Sequence, residues 1–118
     1  MYKTAANLNK HLYILVQMPQ DILLFSPDTG SLSAIINATH DAFRNAYCTF
    51  NGTFSYNGRS MSMKSKRYGN ITLKIVDNGS NYCYEFYRGE DNSEYSYQTT
   101  SVLSELVDRF GGDYSIVQ

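Results

Sequence analysis

Apolar residues recur along this chain with two different periods, and each change of period marks a change of element. From Leu32, the residues Ile35, Ile36, Phe43, Ala46 and Tyr47 follow at spacings that place them on one helical stripe. Asn37, Asp41, Arg44 and Asn45 fill the opposite side, so the helix lies on a core and faces water, with Ser31 as its N-cap. A second helix is expected from a cap at Thr100 or Ser101. It buries Val102, Leu103, Leu106, Val107 and Phe110, pairs Glu105 with Arg109 on its outer side, and ends at Gly111.

Between the helices the period drops to two. Asn57-Gly58 and Asn78-Gly79 sit between alternating runs, the strongest short-range signal for a hairpin. Two-residue turns at these sites oppose Tyr56 to Arg59, Phe54 to Met61 and Gly52 to Met63, then Ile75 to Tyr82, Leu73 to Tyr84 and Ile71 to Phe86. Ser55, Ser60, Ser62, Lys64, Thr72, Lys74, Cys83, Glu85 and Tyr87 point to the other side. A slip of one residue would turn either apolar set outward, so the facing is strongly specified.

A third turn over Gly89 to Ser93 leads into an expected strand at Glu94 to Gln98, and Asp21 to Phe25 and Tyr114 to Val117 predict further short strands. Near the N-terminus, Ala5, Leu8, Leu12 and Leu15 recur as in a helix, while Leu12, Ile14 and Val16 alternate as in a strand. The spacing favours a helix from about Thr4 to Gln17, stopped by Pro19. The predicted fold class is α+β: an antiparallel meander of about five strands with two or three helices packed on one face, formed by residues 1–118 as a single domain.

Composition supports this outline. A chain of 118 residues with 42% hydrophobic and 18% charged residues can bury a core without metals or disulfides. Its aromatic content is 11 Tyr and 6 Phe without Trp, which suits both half-buried strands and an adhesive surface. No secretion signal or membrane span is visible, so a cytoplasmic protein is expected, with Cys48 and Cys83 as reduced packing thiols.

Charge changes the picture more. The formal net charge is −1, yet residues 1–70 carry seven Lys or Arg and three Asp, whereas residues 71–118 carry three Lys or Arg and eight Asp or Glu. The basic half is densest at Arg59, Lys64, Lys66 and Arg67, beside Tyr56 and Tyr68. These six form a candidate nucleic-acid contact, because they combine cations with stacking surface. The acidic half is densest at Glu85, Glu90, Asp91 and Glu94; with Tyr87, Tyr95 and Tyr97 these form a candidate surface for a protein partner. The two patches together also permit head-to-tail self-association into a homo-oligomer.

Catalytic equipment is sparse. His11 and His40 have no Cys, Asp or Glu at a nucleophile or zinc spacing, the loop Glu90 to Glu94 lacks EF-hand spacing, and Gly111-Gly112 closes a helix instead of opening one. Tyr82, Tyr84 and Phe86 alternate like the rings of RNA-binding sheets, but acids flank them and Ile71, Leu73 and Ile75 lie opposite, so they are expected to face the core. No enzyme activity, cofactor or metal is predicted. The leading expectation is a non-catalytic protein-binding module, an inhibitor or regulator of a larger protein or nucleoprotein complex. In style, though not in any motif, the chain resembles small domains carried by phages and mobile elements and immunity proteins. Nucleic-acid binding through the basic hairpin is the first alternative, and a small enzyme the second.

Overall fold

The computed structural model describes residues 18–118. The helix expected over Thr4 to Gln17 lies outside the described residues. Six strands, β1 (Asp21–Ser26), β2 (Thr53–Asn57), β3 (Ser60–Ser65), β4 (Gly69–Asp77), β5 (Tyr82–Arg88) and β6 (Asp113–Ile116), form one antiparallel sheet in the order β2-β3-β4-β5-β1-β6. Helix α1 (Leu32–Ala46) links β1 to β2, and α2 (Gln98–Phe110) links β5 to β6. The fold is therefore α+β, as its periodicity predicts, with β2 to β5 as the meander and β1 inserted between β5 and β6.

Both hairpins face as expected, but each pairs two residues further along. Phe54 lies opposite Met63 and Tyr56 opposite Met61, while Ile75 lies opposite Tyr84 and Leu73 opposite Phe86. A shift of two preserves every inward position, so the hydrophobic pattern cannot distinguish the two registers. Turn chemistry decides. In the first hairpin Asn57 pairs with Ser60, and the loop is Gly58-Arg59 with Gly58 at φ +60°, the arrangement that favours glycine at the first loop position. In the second, Asp77 Oδ1 accepts the Gly79 amide at 3.0 Å, and the Asn78 amide donates to the Asn81 carbonyl at 2.9 Å, which continues the pairing beyond Asp77–Tyr82 and closes the turn around Gly79-Ser80.

The expected strand at Glu94 to Gln98 is absent. In its place runs a 3₁₀ segment, Glu90–Tyr95, kinked at Asn92, after which α2 begins at Gln98, before the anticipated caps Thr100 and Ser101. Asn92 is fully buried and its amide donates to the carbonyls of Tyr68 (2.9 Å) and Asn70 (2.8 Å), while Tyr95 packs its ring on Phe50 and Tyr68 at about 5 Å. These inward contacts hold the segment against the β3–β4 connection and override its alternating pattern.

The core lies between the sheet and both helices. Leu23, Phe25, Ile71, Leu73, Tyr84 and Phe86 on the sheet meet Ile35, Phe43, Val102, Leu103 and Leu106 on the helices, all with no exposed surface. Ser31 caps α1 as predicted, its Oγ accepting the Ala34 amide at 3.1 Å. Beside this cap the β1–α1 and α2–β6 turns are tied together: Thr29 donates twice to the Phe110 carbonyl, and Asp28 accepts the Gly112 amide at 2.9 Å. Gly112 has φ +83° and sits so close to the Ser26 carbonyl that a Cβ would overlap it, so this crossing requires glycine.

Candidate functional site

Because α1 and α2 occupy one face, the alternate residues of each strand display a second face that no described element covers. Along its middle, Leu24, Cys83 and Val76 lie side by side across β1, β5 and β4, with Ile22, Glu85, Lys74 and Ser60 in the next row. Val76 is 43% exposed and Leu24, Ile22 and Cys83 are half-buried. The polar residues are organised: the Tyr87 hydroxyl donates to Glu85 at 3.0 Å, and the Lys74 ammonium stands 5.1 Å from the centre of the Tyr87 ring. Burial pushes the Tyr87 hydroxyl up from its usual pKa, and its bond to Glu85 adds to that.

The residues singled out as a protein-binding surface divide between two places. Glu85 and Tyr87 are on this open face of β5, whereas the rest belong to the chain between β5 and α2. There Glu94 and Tyr97 are exposed, Tyr97 to 62%, and Tyr95 is half-buried in the Phe50–Tyr68 cluster. The side chains of Glu90 and Asp91 lie outside the described part of the structure.

The basic hairpin is likewise divided. Lys64, Lys66, Arg67 and Tyr68 line one groove of about 520 Å³, walled by Thr49 to Thr53. Ser65 shapes it, its Oγ accepting the amides of Arg67 and Tyr68 at 3.2 Å each. Tyr56 and Arg59 sit at the opposite end of the hairpin, where the Tyr56 ring stacks on His40 at 4.2 Å and His40 Nε2 lies 3.1 Å from the Gly58 carbonyl oxygen.

Two further cations were hidden in the sequence. Arg44 from α1 and Arg109 from the end of α2 line a neighbouring groove of about 710 Å³ with Asp41, Glu105 and Phe54. The pair expected between Glu105 and Arg109 is not made: Glu105 instead accepts from the Asn45 amide at 3.4 Å, and the ion pair found among the described residues is Arg88–Asp21 at 2.8 Å. Arg44 and Arg109 are 65 positions apart, and each reads as an ordinary outward residue of its own helix.

The thiols occupy unlike positions. Cys48, expected to pack, is exposed just after α1, where the 3₁₀ turn Cys48–Phe50 directs Phe50 inward in its stead. Cys83 is half-buried, and burial together with Glu85 pushes its pKa up, away from the thiolate that nucleophilic chemistry needs. Among the described residues no three His, Cys, Asp or Glu side chains gather as metal ligands, and no helix is long and apolar enough to cross a membrane. The chain matches no protein-family model and no curated protein.

Proposed function

We propose that this chain is a non-catalytic protein-binding module, an inhibitor or regulator that docks on a larger protein or nucleoprotein complex through the open face of its sheet. The observation that supports this most is the arrangement of that face. An apolar row, Leu24–Cys83–Val76, is bordered by Ile22 and by the Lys74–Tyr87–Glu85 group. Stable interfaces have this composition, with an apolar centre, a polar rim, and Tyr as an amphipathic anchor whose polar tip is already oriented. Exposed Glu94 and Tyr97 supply a second, acidic contact that favours a basic partner. A cytoplasmic setting and carriage by a phage or mobile element fit its size and composition.

Affinity purification from the native host, with the full chain as bait, tests the reading. A stoichiometric protein partner is expected, and capture should fall at least tenfold with Val76→Asp or Tyr87→Ala in variants that keep the parental melting temperature. Should no protein co-purify, or should both variants capture it undiminished, the sheet face is not the docking surface.

A further inference from the structure

The two basic grooves flank the same short segment, Asn51-Gly52, which lines both. Together they collect five exposed cations, Arg44 and Arg109 on one side and Lys64, Lys66 and Arg67 on the other, against two carboxylates, Asp41 and Glu105. None of the five forms an ion pair with a described side chain, and along the two grooves cations outnumber carboxylates five to two. The cations come from α1, α2, β3 and the β3–β4 connection, so tertiary folding, not local sequence, concentrates them.

Flat surfaces accompany the charge. The Arg44 guanidinium lies 5.2 Å from the Phe54 ring centre and the Arg67 guanidinium 5.1 Å from that of Tyr68. Cations spaced along a groove beside aromatic and guanidinium planes suit a single-stranded nucleic acid: the phosphates follow the cations and unpaired bases stack on the planes. A duplex hides its base faces and gains nothing from the rings. We propose that the surface spanning these two grooves binds single-stranded nucleic acid. It shares only Lys64, at the end of β3, with the open sheet face, its other four cations coming from the helices and the β3–β4 connection, and it does not depend on that face's function.

The test is fluorescence anisotropy of the full chain with a labelled 15-nucleotide oligo-dT, an RNA of equal length and a matched duplex, titrated across 50 to 200 mM salt. Single strands should bind more tightly than duplex. Each neutralised phosphate adds about −0.7 to the slope of log affinity on log salt, so three to five contacts give roughly −2 to −3.5. The variant R44E/R109E should lose at least tenfold in affinity, whereas R59E, at the far end of the hairpin, should lose less than twofold. If the charge reversal impairs folding, R44Q/R109Q should flatten the slope by about 1.4 on the same relation. Absent or salt-insensitive binding, preference for duplex, or equal loss from R59E would overturn the proposal. So would displacement of the oligonucleotide by polyglutamate as readily as by unlabelled strand, which would assign the grooves to an acidic protein.

Discussion

Tyr47 and Tyr84 are both completely buried, yet removing their hydroxyls should have opposite consequences. The Tyr84 hydroxyl lies 2.9 Å from Thr39 Oγ1, and Thr39 gives its own proton to the Ile35 carbonyl at 2.7 Å, so Tyr84 is the donor in the pair. Tyr84→Phe deletes one neutral hydrogen bond and leaves Thr39 bonded to Ile35, a cost of about 1 kcal/mol. Thr39→Val keeps the shape but strands the Tyr84 O–H in the core, which costs about 1–3 kcal/mol because a desolvated donor goes unpaired. In the double variant no orphan remains, so its cost should fall below the sum of the singles by about 1 kcal/mol. The Tyr47 hydroxyl has no partner among the described residues, and Tyr47→Phe should be neutral or stabilise by up to about 1 kcal/mol. Urea unfolding followed by far-UV circular dichroism and tyrosine fluorescence, with unchanged m-values, reads all four variants. The reasoning is refuted if Tyr47→Phe costs as much as Tyr84→Phe, or if Thr39→Val and Tyr84→Phe add without coupling.

The same two hydroxyls predict alkaline behaviour. Burial raises both far above the ordinary tyrosine pKa, so their contribution is intact below about pH 10, the unfolded value, and is lost as pH rises above it. A tyrosinate absorbance titration should show the exposed tyrosines ionising first and Tyr47 and Tyr84 only with cooperative unfolding; smooth ionisation of all 11 in the folded state would contradict this. Asn92→Ala removes both bonds to the Tyr68 and Asn70 carbonyls and should cost about 1–3 kcal/mol. Asn92→Asp should cost more, since a buried carboxylate would then face two carbonyl oxygens, and thermal melts at neutral pH rank the two.

The two helices of the described residues and the facing of the four hairpin strands were legible in the sequence, because a 3.6-residue stripe and a two-residue alternation each respond to burial on one side of the element that carries them. Ser31 and Gly111 marked a helix start and a helix end for equally local reasons, a capping oxygen and a positive φ. Strand registers were legible only modulo two, until the Asp77 and Asn78 contacts of the turn selected one. The segment after β5 read as a strand because its alternation is real, but Asn92 and Tyr95 answer to carbonyls and rings that the β3–β4 connection brings to them. Candidate residues followed the same division. The Lys64 to Tyr68 cluster is contiguous and could be seen in the chain, although its separation from Tyr56 and Arg59 depends on which end of a hairpin each occupies. Arg44 and Arg109 joined that cluster only when α1 and α2 packed side by side, and the apolar row Leu24–Cys83–Val76 arose only when β1 inserted beside β5. Local patterning thus determined what each element buries, while the placement of elements distant in sequence decided which charges and apolar side chains meet on the surface, because no periodicity within one element encodes its neighbour.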